Sequence, residues 1–490
     1  MEIGKMYVNG EWILARGNGT REIMNPANGE VIKIVTEATA EDAEAAIETA
    51  RRTFDSGIWS QLRPEERAMF LYKIADEIER SKEELAQLET LNNGKPLGEA
   101  ISDVETAADA FRYYAGLTRT AFGETFDSSL DSIVVKQAVG VCALIVPWNF
   151  PLQMAAWKLA PCLAAGNVAV FKPAEITPLT AIKLFEIIEK VQLPKGVCNL
   201  VLGSGQVIGD IMTSHHEVDK VSFTGGTETG KKVMTNALRT MKKVTLELGG
   251  KSPIVVFPDT DLEKTAEYIL FAIFLGAGQI CSAGSRLIVH ESIAFELTSL
   301  LVKHTQKIVV GNGLDTGVQM GPVSSIQHMH KVLAMIERAK EDGAVLLTGG
   351  NRINKVSLDK GYFIEPTIFS VEDNQIEIVQ EEVFGPVLTI QTFKDEAEAI
   401  CLANSTKFGL AGAVFTKGFS RAMRMSKHIR SGTVWINKYH SVNNQLPWGG
   451  FNQSGFGRDL GKDALNEYLE TKVIQMNLSD SALGFYDSFK

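Results

Sequence analysis

The sequence predicts an α/β protein with two doubly wound, Rossmann-like domains and a small β bridging arm. Two alternations of short apolar strands with helical segments predict this class, one beginning at residue 141 and one after residue 250. Near-continuous apolar strands separated by helices are typical of parallel sheets covered on both faces. A chain of 490 residues is also too long for a single hydrophobic core. We place the first domain at 1–122 and 140–249, the second at 250–450, and the arm at 123–139 and 465–490.

The elements before the first alternation are a hairpin and helices. YVNGEWI (7–13) predicts a hairpin, with Asn9 and Gly10 in a type I′ turn. Helical periodicity runs through 41–54 and 64–91. Two stretches, 125–139 and 465–478, fit neither alternation and are predicted to be extended arms that pair across subunits.

The first alternation supplies the sheet of the first domain. Its predicted strands are VCALIV (141–146), NVAVFK (167–172), VCNLVL (197–202), VDKVSFT (218–224) and KKVTLEL (242–248). Its predicted helices are LQMAAWKLAPCLAA (152–165), PLTAIKLFEIIEKV (178–191), QVIGDIMTS (206–214) and GTETGKKVMTNAL (226–238).

The second alternation repeats the pattern. Its predicted strands are SPIVVF (252–257), SRLIVH (285–290), AVLLTGG (344–350), GPVLTIQTF (385–393), AGAVFTK (411–417) and GTVWIN (432–437). Its predicted helices lie at 261–278, 294–308, 327–342, 395–405 and 420–429.

Composition argues against several classes of protein. A net charge of -10 does not suit a nucleic-acid partner, which requires clustered Lys and Arg. The amino terminus lacks a basic region followed by an apolar stretch, and the longest apolar stretches are short or broken by prolines, so we expect neither secretion nor membrane insertion. The five cysteines form no CxxC pair, which predicts no disulfide framework, no metal site and a reducing, cytoplasmic location.

One cysteine draws attention because of its surroundings. Cys281 lies in FLGAGQICSAGSR (274–286), a run of small residues after a long apolar stretch. Taken alone, it could be a nucleophile, a metal ligand or a small apolar residue that fills a gap in the core.

Two glycine-rich turns follow consecutive strands of the first sheet. VLGSGQVIGD carries Gly203, Gly205 and Gly209, and FTGG carries Gly225 and Gly226. Glycine lets the backbone approach a phosphate, and the amino terminus of the following helix favours its charge. Such turns are also common outside nucleotide sites, but two of them at one sheet edge favour a nucleotide.

Three further stretches carry polar residues at strand ends. In FKPAE, Lys172 and Glu175 could hold the hydroxyls of a ribose or form a solvated pair; a carboxylate there favours NAD over NADP. In VPWNFP, Asn149 presents a side-chain amide or serves the turn. Glu247 ends an apolar strand, where an unpaired carboxylate is costly, so it is a candidate general base.

Together these stretches resemble the NAD(P)-dependent aldehyde dehydrogenase superfamily. LELGGKSP and GQICSAGSR are specific as a pair, and VPWNFP, KPAE, FTGG and EEVFGPV (381–387) occur in the expected order. The resemblance extends from the amino-terminal hairpin to PWGGFNQSGFGRDLG (447–461). It implies a coenzyme domain, a catalytic domain and a bridging arm, assembled as a homodimer or homotetramer.

The resemblance also implies site residues. Cys281 corresponds to the nucleophile, Glu247 to the general base, and Asn149 to an oxyanion-hole donor beside the Cys281 N–H. Lys172 and Glu175 correspond to ribose contacts, and Glu382 with Phe384 to the pair that positions the nicotinamide. The full set implied for the coenzyme is Ile145, Val146, Pro147, Trp148, Lys172, Glu175, Gly205, Gly209, Phe223, Gly225, Gly226, Leu248, Glu382 and Phe384.

The resemblance leaves the substrate open among aldehydes. The positions implied for the substrate tunnel are Phe150, Met154, Trp157, Leu275 and Trp448. GQICSAGSR and FTGGTETGKK are closest to the betaine-aldehyde branch, whose product is glycine betaine, and three tunnel aromatics could contact a trimethylammonium group. Leu275 stands where some members of that branch carry an aromatic, and Val442 and Asn443 stand where its bacterial members often do. A CoA-acylating semialdehyde dehydrogenase is a further alternative, which the candidate base Glu247 disfavours.

Overall fold

A computed structural model describes residues 2–120, 123–126, 129–478, 480 and 484–485. Within these ranges the strands form sheets of eight, seven, three and three strands. The two large sheets correspond to the two predicted alternations. The division of the chain into domains at residues 249 and 250 stays a prediction; the change of sheet between Glu247 and Pro253 supports it.

The eight-stranded sheet has a doubly wound parallel centre. Its strands, in spatial order, are Gly455–Phe456, Lys243–Glu247, Lys220–Thr224, Val141–Ile145, Val168–Lys172, Cys198–Leu200, Met6–Val8 and Glu11–Ile13. The five middle strands are parallel. Because strand order reverses at Val141–Ile145, a ligand crevice is expected beyond the carboxyl ends of this strand and its neighbour Lys220–Thr224.

The edges of this sheet are antiparallel. The predicted amino-terminal hairpin is present: Tyr7 pairs with Trp12, and Asn9 and Gly10 both have the positive φ that a type I′ turn needs. At the other edge Gly455–Phe456, from late in the chain, pairs with Lys243–Glu247. This pairing was not predicted, because a two-residue strand leaves no periodic pattern.

The seven-stranded sheet is parallel except at one edge. Its strands, in spatial order, are Val345–Thr348, Thr367–Ser370, Val387–Phe393, Arg286–His290, Pro253–Val256, Ala411–Phe415 and Thr433–Ile436. Six of them match predicted strands. Thr367–Ser370 was missed, and it separates the antiparallel edge strand from Val387–Phe393.

Two small sheets complete the strand inventory of the described residues. One combines Ile3–Gly4, Val31–Thr36 and Thr20–Met24 near the amino terminus. The other is the arm, in which Ser129–Ala138 pairs with both Gly123–Phe126 and Leu469–Gln475. The arm prediction for 465–478 was wrong at its start, because Leu465 to Glu467 end a helix, Gly461–Glu467.

The helices depart from the predictions at several ends. The stretch 64–91 forms two helices, Pro64–Arg80 and Lys82–Asn93, broken at Ser81. The stretch 206–214 begins as a π-helical turn, Gly205–Gly209, before Asp210–Ser214. The stretch 261–278 is α-helical only over Leu262–Phe274, since Gly276 and Ala277 have left-handed φ.

The remaining helices cover both large sheets. They are Ala40–Asp55, Leu97–Leu117, Pro151–Ala164, Leu179–Lys190, Thr227–Ala237, Glu291–Thr305, Ile326–Glu341, Glu377–Gln380, Glu396–Ala403 and Phe419–His428, with 3₁₀ turns at Leu238–Thr240, Leu275–Gly278 and Asn452–Ser454. Leu97–Leu117 was not predicted, although it is the longest helix described. Pro151–Ala164 is buried along its whole length. No helix in the described ranges is both long and apolar enough to cross a bilayer.

Candidate active site

A cleft of about 860 Å³ lies at the carboxyl ends of the central strands of the eight-stranded sheet and extends to segments that flank strands of the seven-stranded sheet. It is lined by Cys281, Glu247 and Asn149. It is also lined by every predicted coenzyme residue except Gly209, and by every predicted tunnel residue. Gly209 is the last residue of the π-helical turn, and a Cβ built on it would meet no atom within 4 Å.

The Cys281 loop is shaped by residues with positive φ. Gly276, Ala277 and Gly278 have φ of 57°, 55° and 72°, which ends the preceding helix and turns the chain into the cleft. A Cβ on Gly278 would lie 2.1 Å from the carbonyl oxygen of Gly385. A Cβ on Gly250 would lie 2.4 Å from the carbonyl oxygen of Cys281. Glycine at 250 and 278 therefore lets two other loops close onto the cysteine loop.

The Cys281 thiol lies in an environment that opposes ionisation. Burial raises the pKa of this thiol, and the carboxylates of Glu382 and Glu247 raise it further. Backbone N–H groups of Ser282 and Cys281 oppose that shift. In the protein without coenzyme, the group is therefore a thiol at neutral pH.

Asn149 is held against the cysteine loop. It lies in the turn between the strand Val141–Ile145 and the helix Pro151–Ala164, and its Nδ2 donates to the carbonyl oxygen of Gln279 at 2.7 Å. Buried Asn93 stabilises the same turn, because its Nδ2 donates to the carbonyl oxygen of Trp148 at 2.8 Å. The side-chain amide of Asn149 is thus held against Gln279, which precedes Cys281 by two residues in sequence.

Glu247 is the last residue of its strand and is 5% exposed. Neither of its carboxylate oxygens has a hydrogen-bond partner among the described residues. Burial raises the pKa of this carboxyl well above its usual range, and Asp459 raises it further, against opposing effects of Lys158 and Arg458. Gly449 leaves it room, since a Cβ there would lie 2.6 Å from Oε1. A buried carboxyl whose pKa is raised in this way is suited to proton transfer.

A second carboxylate and two rings line the cleft near the cysteine loop. Glu382 accepts the N–H of Gly250 at 2.9 Å, and burial raises the pKa of Glu382 to about 7. Trp148 and Phe384 pack edge to face with ring centroids 5.2 Å apart. Phe384 has a φ of 57°, which is rare outside glycine, and its carbonyl oxygen lies 2.7 Å from Nε2 of His328.

At the far end of the cleft, Lys172 and Glu175 follow the strand Val168–Lys172. Lys172 is buried, its Nζ donates to the carbonyl oxygen of Pro173 at 3.1 Å, and burial lowers its pKa to about 8. Glu175 accepts the backbone N–H of Gly205 at the start of the π-helical turn. The two predicted ribose contacts therefore lie at the same sheet edge as the glycine-rich turn.

The tunnel end contains more charge than the sequence indicated. Phe150, Trp157 and Trp448 line it, with the Trp157 and Trp448 ring centroids 6.3 Å apart. Glu99 and Asp103 line it as well. Burial raises the pKa of Glu99 to about 8, and its Oε2 accepts the N–H of Gly276 at 3.0 Å.

A buried lysine adjoins these carboxylates. Lys95 Nζ binds Asp103 and lies 4.3 Å from the centroid of the Phe150 ring. Sequence reasoning missed Glu99 and Asp103 because the helix Leu97–Leu117 itself was missed. Glu99 and Asp103 follow Pro96 and are four residues apart, so both carboxylates lie on one face of the helix. This spacing could have indicated them from the sequence.

The sequence did not indicate the two histidines of the cleft. His328 and His440 line the cleft, and burial lowers the pKa of each to about 4, so both rings are neutral at pH 7. Across the described part of the chain, no group of three or more His, Cys, Asp or Glu side chains is placed to hold a metal ion.

The doubly wound sheet and a cleft at its switch point, lined by a cysteine, are typical of an α/β enzyme of the nucleotide-binding type. The model of the aldehyde dehydrogenase family matches residues 12–474, and the chain belongs to this family. The predicted family and fold are confirmed, and the chain is an oxidoreductase of the aldehyde dehydrogenase class.

Characterised relatives are similar over nearly their whole length. The betaine aldehyde dehydrogenase of Bacillus subtilis (strain 168) is 49% identical, with 99% of each chain covered. A peroxisomal aminoaldehyde dehydrogenase 1 of Pisum sativum is 44% identical over 98% of this chain and 97% of the relative. The crystal structure of betaine aldehyde dehydrogenase from Staphylococcus aureus in complex with NAD+ superposes with a TM-score of 0.97 at 47% identity, covering 98% of this chain and 96% of that one.

Proposed function

We propose that this chain oxidises an aldehyde to the carboxylic acid with NAD, through a covalent intermediate on Cys281. One observation carries the proposal: Cys281, Glu247 and Asn149 line a single cleft at the carboxyl ends of a doubly wound sheet. An aldehyde has no leaving group, so covalent attachment divides a difficult oxidation into two easier steps.

The first step is attack by sulfur on the aldehyde carbon. A C–S bond forms, the carbonyl oxygen becomes an alkoxide, and the thiol proton leaves to solvent. We assign Asn149 Nδ2 and the Cys281 N–H as the donors that stabilise this alkoxide, each contributing roughly 3 kcal/mol. The resting thiol has a raised pKa, so it needs help to ionise. The positive charge of a bound oxidised nicotinamide would lower this pKa and favour the reactive thiolate.

The second step releases the acid. Loss of hydride from the thiohemiacetal carbon leaves a thioester on Cys281, which water must hydrolyse. We assign Glu247 as the base that takes a proton from this water. Neither of its carboxyl oxygens has a hydrogen-bond partner among the described residues, so in its ionised form this group is free to accept that proton.

The chain's residues fit a dinucleotide at the other end of the cleft. NAD, when bound, supplies the hydride acceptor. We assign Lys172 and Glu175 to the adenosine ribose and Glu382 with Phe384 to the nicotinamide ribose and ring. Gly226 supports the fit, because a Cβ there would point into open space beside the cleft. A carboxylate at 175 favours NAD over NADP.

A second candidate substrate is a cationic aldehyde, betaine aldehyde in particular. The three tunnel aromatics and the carboxylates of Glu99 and Asp103 favour a cation in this part of the cleft. Leu275 and Val442 weaken the aromatic enclosure, so we keep an unspecified aldehyde as the first choice. A CoA-acylating reaction would leave Glu247 without a use.

We also propose that the chain acts in the cytoplasm as a homodimer or homotetramer. The five cysteines are free, as a reducing compartment requires. The strand Leu469–Gln475 is an edge strand of the arm and is exposed at all but its first residue. An open edge with exposed Val473 and Ile474 is suited to pairing with another subunit.

An aldehyde panel tests the proposal. Betaine aldehyde, propanal, benzaldehyde and a semialdehyde are each assayed for NADH formation, with and without CoA. We expect at least one to be oxidised without CoA, and Cys281→Ala to abolish the activity while coenzyme binding persists. Cys401→Ala removes an exposed cysteine outside the cleft and is the matched control. Oxidation by Cys281→Ala at the wild-type rate would refute the covalent route.

A further inference from the structure

Beside the adenosine end of the cleft, Glu175 adjoins two charged residues to which the proposed function gives no role, Arg21 and Glu37. Arg21 extends from the strand Thr20–Met24 of the small amino-terminal sheet. Its guanidinium binds the carboxylate of Glu37 and lies 3.5 Å from Oε2 of Glu175. Arg21, Glu37 and Glu175 also all influence the pKa of buried Lys172, so the four groups share one electrostatic environment.

Arg21 and Glu175 line a small side pocket beside the main cleft. Glu175 and Ala174 line both the side pocket and the cleft, whereas Arg21 lines only the side pocket. The Glu175 side chain is therefore a partition between the cleft and Arg21. A ligand group in the cleft that displaces the Glu175 carboxylate would lie close to the Arg21 guanidinium, because the two side chains are 3.5 Å apart.

Glu175 itself occupies a position that attracts anions. Its Oε1 accepts the N–H of Gly205 at the first residue of the π-helical turn, and its Oε2 faces Arg21. A backbone N–H and a guanidinium thus converge on one carboxylate. A phosphate dianion would satisfy the same two donors with a larger charge.

We propose that Arg21 is a coenzyme-specificity residue that admits the 2′-phosphate of NADP when Glu175 turns aside. The inference rests on the proposed function, which places the adenosine ribose beside Lys172 and Glu175. Glu175 disfavours NADP by repulsion, and Arg21 offsets that repulsion. Glu37 competes with the phosphate for the guanidinium. The enzyme therefore prefers NAD but retains measurable activity with NADP.

The experiment compares kcat/KM for NADP and for NAD in wild type, Arg21→Met, Glu37→Gln and Arg52→Met. Arg52 is exposed, pairs with Glu48 at 3.7 Å and lines neither pocket, so it controls for loss of one positive charge. We expect Arg21→Met to lower the NADP/NAD ratio about tenfold, because one charge-assisted contact is lost. Glu37→Gln should raise the ratio, and Arg52→Met should leave it within twofold.

A binding measurement separates this inference from the proposed function. Isothermal titration calorimetry compares adenosine 2′,5′-bisphosphate with AMP on the same proteins, without any turnover. If no aldehyde is oxidised but Arg21→Met weakens the bisphosphate about tenfold relative to AMP, the proposed function fails and the role of Arg21 stands. If Arg21→Met changes neither the kinetic ratio nor the affinity ratio by more than twofold, the role of Arg21 is refuted.

Discussion

At the scale of the residue, Glu247 combines deep burial with an unsatisfied carboxyl. Most buried polar groups have a hydrogen-bond partner, so such a residue reduces the stability of the fold. The same burial raises its pKa, which makes the ionised carboxylate a stronger base toward water. The proposed base is thus a position where stability and activity conflict.

This conflict predicts a pH-dependent gain in stability for Glu247→Gln. The folded-state pKa of Glu247 is raised above its ordinary value of 4.5, with burial as the main cause. Its contribution to stability is complete below the unfolded-state pKa and is lost as the pH rises through the folded-state pKa. Differential scanning calorimetry should give a Tm difference, variant minus wild type, that is larger at pH 9 than at pH 5. An equal difference at both pH values would contradict a raised folded-state pKa for this carboxyl.

Single residues also show what could be predicted without the structure. Glu247 was a candidate base from its place at the end of an apolar strand, whereas the roles predicted for Cys281 and Asn149 came from the family resemblance. Glu99 and Asp103 were missed together with the helix that carries them. His328 and His440 were missed because their place in the cleft depends on how distant elements pack. Sequence position gives no access to such long-range proximity.

At the scale of the element, the cysteine loop depends on close backbone contacts. Gly278 combines a φ of 72° with a Cβ position only 2.1 Å from the carbonyl oxygen of Gly385. A side chain there would push the loop of Gln279 and Cys281 away from the EEVFGPV loop. The positions of the thiol and of Glu382 are therefore coupled through one glycine.

Gly278→Ala should accordingly lower kcat/KM by at least tenfold and reduce the Tm. Alanine is strained at this φ, and its Cβ would clash with the Gly385 carbonyl, a backbone group that cannot rotate away as a side chain could. Steady-state kinetics and calorimetry measure both effects. Gly116→Ala is the matched control, since this position lies in the helix Leu97–Leu117 and its Cβ would meet only the Tyr72 hydroxyl at 3.9 Å. Unchanged kinetics in Gly278→Ala would show that the loop tolerates displacement.

The elements that the sequence predicted well share a physical reason. Val141–Ile145, Val168–Lys172 and Lys220–Thr224 are buried at every position, and such strands stand out as apolar runs. Leu97–Leu117 was missed because its buried face is largely alanine, which gives weak amphipathic contrast. The break at Ser81 was missed because helical periodicity continues on both sides of it.

At the scale of the whole molecule, the arm links the start of the first large sheet to the end of the chain. Leu469 pairs with Ala138, three residues before the strand Val141–Ile145 begins. The helix Gly461–Glu467 precedes the arm strand, and Asp459 before it lies 3.0 Å from Lys158 Nζ, in the interior. The arm and the segment before it therefore contact the chain next to Val141–Ile145 and Pro151–Ala164, the strand and helix on either side of Asn149.

The proposed assembly predicts that Val473→Lys yields a smaller particle than wild type. Val473 is 58% exposed on the edge strand, and a charge there would oppose pairing with another subunit. Size-exclusion chromatography with light scattering measures the mass. Val356→Lys, at a position that is 94% exposed outside the arm, should keep the wild-type mass. A wild-type mass for Val473→Lys would exclude this edge from the interface.

The central claim is that oxidation proceeds through an acyl group on Cys281 that Glu247 helps to remove. The most direct measurement is intact-protein and peptide mass spectrometry of Glu247→Gln after mixing with NAD and an oxidised aldehyde. We predict an early burst of NADH close to one per active site and an acyl adduct on the peptide that contains Cys281. Turnover at the wild-type rate with no adduct on Cys281 would contradict the account.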